Sequence, residues 1–208
     1  MIPDVAAVAA ALSDAASGWL HDALARVTRG ERGAFAAAWN ACGRRLGQTA
    51  VGATSWKADE AGRALLLLRH MGTLAADAQA PFVLALYEKG ELREQVALLK
   101  ALAFLPGPER FAEVAASAMR SNAVDLHEAI ACDNPYPAAH LPDATFNQLV
   151  LKAMFNGLSP RRVLGIERRR NPELARMVDA WVRERRLAGG AVPADVAVVL
   201  EGEADASL

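Results

Sequence analysis

Apolar residues recur every three or four positions along most of this chain, and nowhere do Val, Ile or Thr alternate with polar residues over a strand's length. That pattern predicts an all-α protein. From Asp4 to Arg29 the residues Val5, Val8, Leu12, Trp19, Ala23 and Val27 keep a helical period that stops at Gly30, a good residue for ending a helix. A second helix is expected from Glu31 to Leu46. The aperiodic string Gly47 to Lys57, rich in Gly, Thr and Ser, reads as a connection and a candidate domain boundary. Asp59 to Leu74 then carries Leu65–Leu68 and Arg69, apolar on several sides, which predicts a helix buried between neighbours.

From Pro81 onward the predicted helices are short: Pro81–Glu88, Glu91–Leu105, Pro108–Met119 and Ala123–Cys132. Lys89-Gly90, Pro106-Gly107-Pro108 and Ser121-Asn122 separate them, the last pair supplying a cap for the backbone donors that follow. Leu92, Val96, Leu99 and Ala103 line one face of the Glu91–Leu105 helix. Short antiparallel helix hairpins of this kind predict a HEAT-like, α-solenoid-like bundle, because each hairpin can bury its stripe only against the next. The expected organisation is an N-terminal helical segment (1–57), a helical domain (58–195) and a loose acidic tail (196–208), with one continuous domain as the alternative.

Composition changes this picture little. With 53% apolar and 23% charged residues the chain can bury an ordinary core, and a net charge of -1 argues against an all-over polyanion binder. Cys42 and Cys132 are too few for a disulfide framework or a zinc cluster, and both fall in helical patterns as buried thiols. The amino terminus has no basic signal-like region, and no apolar run reaches the ~18 residues of a membrane span. A cytoplasmic protein without membrane insertion is expected.

Candidate chemistry begins after residue 120. Asp133-Asn134-Pro135-Tyr136-Pro137 ends a helix with two prolines flanking an aromatic, which predicts an extended, stiff corner. Tyr136 is either a packing plug there or a ligand contact. The following helix, opened by Pro142 or Asp143, has a broad apolar face of Phe146, Leu149, Val150, Ala153 and Met154. Asn147 falls among apolar positions, so its amide must find a definite partner, and the backbone of the 133–137 corner is the expected one. Gln148 and Lys152 form the only polar strip on this helix, with Lys152 either snorkelling to solvent or reaching a site.

Asn122, the run His127 to Pro137, Phe146-Asn-Gln-Leu-Val-Leu-Lys-Ala-Met-Phe155, Gly165-Ile-Glu-Arg168 and Asn171-Pro-Glu-Leu-Ala175 resemble, in order and spacing, the EboA-domain family. The resemblance covers roughly residues 90 to 190. It implies a bacterial, cytoplasmic, α-helical protein of a gene cluster associated with moving a secondary-metabolite precursor from cytoplasm to periplasm. It attaches no reaction to the chain. His127 stands where the family commonly has phenylalanine, so shared chemistry is not expected of it.

The histidines do not form a recognisable centre. His127-Glu128 lacks the second histidine of a zincin, since position 131 is alanine, while a site from His127 and His140 would need Asp133 or Glu128 as a further ligand. No nucleophile elbow or phosphate loop is present. An enzyme or metal site near His127 and His140 is the minority alternative, and no metal, cofactor or catalytic residue is expected. Between Lys152 and Gly190, ten basic residues face four acids, a local excess of +6. Arg161, Arg162, Arg168, Arg169 and Arg170 are the candidate partner-binding residues, because guanidinium groups fork carboxylates and phosphates. Solvated helix faces are the alternative. Nucleic acid is not expected, since the arginines lack interleaved aromatics.

The resulting expectation is a non-catalytic adaptor or carrier for a small apolar or aromatic metabolite or precursor. Asp133, Asn134, Tyr136, Asn147, Gln148 and Lys152 are the candidate ligand residues. The alternative is a scaffold that binds other proteins of the same gene cluster.

Overall fold

The structure, a computed structural model, describes residues 1–200. The all-α expectation holds: thirteen α-helices and four 3₁₀ turns account for the regular structure, and an isolated Ala50–Lys57 bridge is the one β-type pairing among the described residues. The chain divides into two compact units, Met1–Ala118 and Met119–Leu208.

The first unit holds α1 (Val5–Ala10), α2 (Asp14–Thr28), α3 (Ala34–Leu46), α4 (Ala58–Met71), α5 (Ala76–Lys89) and α6 (Leu92–Ala101). The single helix expected over 4–29 is two. Ser13, in extended backbone, accepts from Ala16 N and starts α2, while Asp4 caps α1 from Ala7 N at 2.7 Å. A short polar side chain thus outcompetes helix continuation. Helix α5 starts five residues before Pro81, which lies inside it. On α6 the buried stripe is Ala97, Leu98, Leu99 and Ala101, whereas Leu92 is exposed.

Helix α4 is the centre of this unit, buried from Ala58 to Leu67 and packed against α2, α3 and α6. At Gly62 an added Cβ would lie 2.3 Å from Leu46 Cδ1, so a side chain there would push the Leu46 side chain of α3 aside. The helix buries charge as well as leucine. Asp59 Oδ2 accepts from Arg63 Nη1 at 2.9 Å and Arg93 Nη2 at 2.5 Å, and Lys100 Nζ donates to Glu60 Oε2 at 2.6 Å above the Trp56 ring. Pairing of this kind is what makes buried charges tolerable.

The second unit contains α8 (Val124–Ala131), α9 (Tyr136–His140), α10 (Asp143–Phe155), α11 (Ile166–Arg169), α12 (Pro172–Leu187) and α13 (Ala197–Leu200); α7 (Ala112–Arg120) carries the chain over the division. Pro135 and Pro137 do not hold the corner extended. They start α9, since a proline in the first turn forfeits an N–H that has no intrahelical acceptor. Helix α8 is capped by Ala123 without a side-chain bond, Ser121 Oγ accepting from Ala123 N instead. At the far end the loose tail expected over 196–208 does not begin at 196, since Val198 and Val199 of α13 are buried; its remainder, from 201 on, lies outside the described residues.

Candidate ligand-binding cleft

The polar residues singled out after position 130 form a framework within the second unit. Asp133 takes left-handed backbone (φ 53°), and Asn134 clamps the corner: its Nδ2 donates to Ala129 O and its Oδ1 accepts from Tyr136 N, both at 2.9 Å. Tyr136 is fully buried, its ring 4.9 Å from that of His140. Asn147 is buried too, but its partner is not the corner. It exchanges two 3.0 Å hydrogen bonds with Asn171, the N-cap of α12, because α10 packs against α12 on this face. Gln148 is exposed on α10. Lys152 does not snorkel: Nζ donates to Met119 O at 2.6 Å and Ser121 O at 2.8 Å, a cation on carbonyls that end a helix.

The arginines separate into two groups. Arg162 spans Asp133 and Glu128, donating to Asp133 Oδ2 from Nε and Nη2 at 3.0 and 2.7 Å and to Glu128 Oε1 at 2.6 Å. Its own carbonyl accepts from Asp133 N at 2.8 Å, and the bond to Asp133 raises the guanidinium's pKa above its ordinary value. Arg169 lies over the Phe146 ring at 4.7 Å and donates to the carbonyls of Ala138 and Leu141, each at 2.8 Å, and to Asp143 at 2.6 Å. Arg170 Nε donates to Val198 O at 2.7 Å. These three bind the second unit together internally. Arg161 and Arg168 are exposed and make no ion pair among the described residues.

Both flank a cleft of about 430 Å³ lined by Val163, Leu164, Gly165, Ile166 and Val198, with Glu167 also on its wall. Val163, Ile166 and Val198 are buried and give it an apolar floor, while Leu164 is partly exposed. The cleft is rigidly backed by the corner. Arg162 and Arg169 tie the 159–170 segment to it, and Gly165 (φ 79°) sits so close that an added Cβ would be 2.7 Å from Ala138 Cβ. The charge of this segment is visible in the sequence, but the cleft is not. Its valines are spread from 163 to 198 and meet only in the fold.

His127 is fully buried with its Nε2 3.1 Å from Leu149 O. Burial, chiefly, and then the nearby Lys152 charge hold its pKa below 6.5, so the neutral Nε2–H tautomer donates to that carbonyl. Burial also pushes the Cys132 thiol up to about 11 and Cys42 to about 12, far from a reactive thiolate at neutral pH. Among the described residues, no three or more His, Cys, Asp or Glu side chains gather where they could hold a metal ion. None of the helices there is long and apolar enough to cross a membrane.

The chain has no significant match among curated proteins or solved structures. The model of the family described as metabolite traffic protein EboA matches residues 47–201, well over half of the sequence and including the whole cleft, and the chain belongs to the EboA family.

Proposed function

We propose that this protein is a non-catalytic carrier in metabolite traffic. It holds a small precursor with an apolar or aromatic body and an anionic group in the cleft between Arg161 and Arg168. The observation that carries this reading is the division of labour among the arginines. Where Arg162, Arg169 and Arg170 are consumed by internal acceptors, Arg161 and Arg168 face an apolar-floored space and make no ion pair among the described residues. That is the composition of a small-molecule pocket, apolar surface with a few placed polar groups, and its volume lies in the usual range. Asp133, Asn134, Tyr136, Asn147 and Lys152 serve the ligand at one remove, by holding the wall in place. The family's trafficking role fits a protein that binds without transforming its cargo.

Octyl phosphate, an apolar chain with one anionic head, is a suitable probe. Wild-type protein is expected to bind it saturably, and the double variant Arg161→Glu/Arg168→Glu to bind at least tenfold more weakly with an unchanged melting temperature. Equal binding by the two proteins refutes the cleft as the site. The scaffold reading has one feature in its favour: Phe155 is 58% exposed with its ring edge-on to Trp181 at 5.9 Å, an aromatic pair of the kind that anchors protein interfaces. Capture of other proteins of the pathway, lost on Phe155→Ser, is its test.

A further inference from the structure

The first unit contains another cavity, of about 300 Å³, where the α2–α3 turn meets the end of α4 and the middle of α5. Its walls are aromatic. Phe35 and His70 stack with ring centroids 4.3 Å apart and planes 13° from parallel, and Phe82 stands edge-on to both, at 5.5 and 4.9 Å. Val27 and Ala36 complete the apolar lining. The three rings pack on one another, and the faces and edges they turn to the cavity give it an aromatic wall against which another flat ring can stack or stand edge-on, the two arrangements that aromatic pairs favour.

Polar groups at the mouth define the other end of the ligand. Glu31 is neutralised in place: Arg26 donates to Oε2 at 2.8 Å, and Arg29 to Oε1 at 2.6 and 3.0 Å, which lowers its pKa below the usual carboxylate value. Arg32, which also lines the cavity, is exposed and makes no ion pair or side-chain hydrogen bond among the described residues. With Glu31 committed to Arg26 and Arg29, Arg32 is the lining charge left without an ion pair among the described residues, and it is positive. The N-cap of α3 is Gly33, with no side chain to satisfy the first-turn N–H groups beside Phe35 and Ala36, and these add to the same field.

Thr73 and His70 arrange the side wall. Thr73 Oγ1 donates to His70 O at 2.8 Å and so receives the Nδ1–H of the ring at 3.2 Å, which leaves Nε2 as an acceptor on the neutral imidazole. Burial lowers the pKa of this histidine, in keeping with a neutral ring stacked on phenylalanine.

We infer that this cavity is a second binding site, for a planar aromatic carboxylate whose ring enters beside Phe35, His70 and Phe82 and whose anionic group meets Arg32. The inference does not depend on the reading of the Arg161–Arg168 cleft. The turn from Val27 to Ala36 precedes the residues matched by the family model, whereas His70, Thr73 and Phe82 lie within them.

The test uses the full chain, 2-naphthoate and the neutral analogue 2-naphthalenemethanol, followed by ¹H–¹⁵N NMR titration and calorimetry. The expected result is saturable shifts of the Phe35, Ala36, Thr73 and Phe82 amides with 2-naphthoate. Arg32→Gln should weaken 2-naphthoate at least fivefold while changing 2-naphthalenemethanol less than twofold. Ala36→Phe, at an exposed position that removes no packing, fills the mouth and should abolish binding of both at an unchanged melting temperature. Arg161→Glu/Arg168→Glu should bind both as wild type does. Absence of saturable shifts at these amides, full binding by Ala36→Phe, or loss of binding in the cleft variant overturns the inference.

Discussion

Asn147 and Asn171 face each other as a closed amide pair: each Nδ2 donates to the other's Oδ1 at 3.0 Å. Asn171 then spends its remaining capacity on backbone, Oδ1 accepting from Leu174 N at 2.9 Å and Nδ2 donating to Arg169 O at 3.1 Å. One buried amide on α10 therefore sets both the start of α12 and the segment that leads into it. Since that segment continues back through Arg168 to the cleft, the pair couples the core of the second unit to the candidate binding wall.

Replacing Asn147 with leucine keeps the volume and removes the pair. The Asn171 amide is left with a half-buried donor and acceptor that have each lost a partner, and the expected cost is about 1–3 kcal/mol. Asn171→Ala loses the helix cap as well, and the double variant should be less destabilised than the sum of the two singles, by at least about 0.5 kcal/mol. Urea unfolding of the four proteins measures this. Strict additivity would show that the two amides do not act as one unit.

Arg168 and Arg169 are neighbours in sequence with opposite expected behaviour. Arg169→Met strips three acceptors of a largely buried cation and should destabilise by about 1–3 kcal/mol. Arg168→Glu touches no internal partner and should stay within about 0.5 kcal/mol of wild type while weakening anion binding. Reversing Arg168, Arg169 and Arg170 together would therefore confound binding with folding. Thermal melts of the single variants, read beside octyl phosphate titrations, separate the two effects.

How far these roles could be read beforehand depends on where each residue's partner lies. The helices were legible because 3.6-residue periodicity is local, and so was the demand that Asn147 find a partner, because a helical wheel places it between Leu151 and Met154. The partner itself, 24 residues away, is a product of α10 packing on α12. Two prolines around Tyr136 announced a stiff corner, yet the same residues are as well suited to begin a helix as to extend a chain. Arginine counting located the basic end of the chain. It could not say which guanidinium groups would meet carbonyls from the end of α9, nor that Asp59, Glu60 and Arg63 on the leucine-rich α4 would be buried with Arg93 and Lys100 as partners. Phe35, His70 and Phe82 lie far apart in the sequence, and only the fold brings them together as an aromatic wall.

His127 gives the second unit a dependence on pH. Its pKa in the folded protein is below 6.5 because burial, and then Lys152, disfavour the imidazolium. The unfolded chain thus takes up a proton on falling through pH 6.5 while the folded one resists. The stability contributed by the neutral ring is complete above that value and is lost as the pH falls from there to the lower native pKa. Unfolding free energy should decrease between pH 7.5 and 5.0, and His127→Phe should reduce the decrease. An identical pH profile in the variant would assign the acid sensitivity to other groups, His70 among them, whose pKa burial also lowers.

Gly165 connects the fold to the proposed ligand site most directly. Its φ of 79° is a conformation that a side chain disfavours, and a methyl group there would collide with Ala138 at 2.7 Å, on the far side of the cleft wall. Gly165→Ala must either strain the turn or push α11 away from α9, at a cost of about 1–3 kcal/mol. Displacing α11 moves Ile166 and Arg168 together, so the variant should also bind octyl phosphate several-fold more weakly even though no ligand-facing side chain has changed. Ala138→Gly in the Gly165→Ala background removes the colliding methyl and should recover part of both losses. Calorimetric melts and octyl phosphate titrations of the single and double variants test this directly. Recovery of stability without recovery of binding would mean that the cleft does not depend on the close approach of Gly165 to α9.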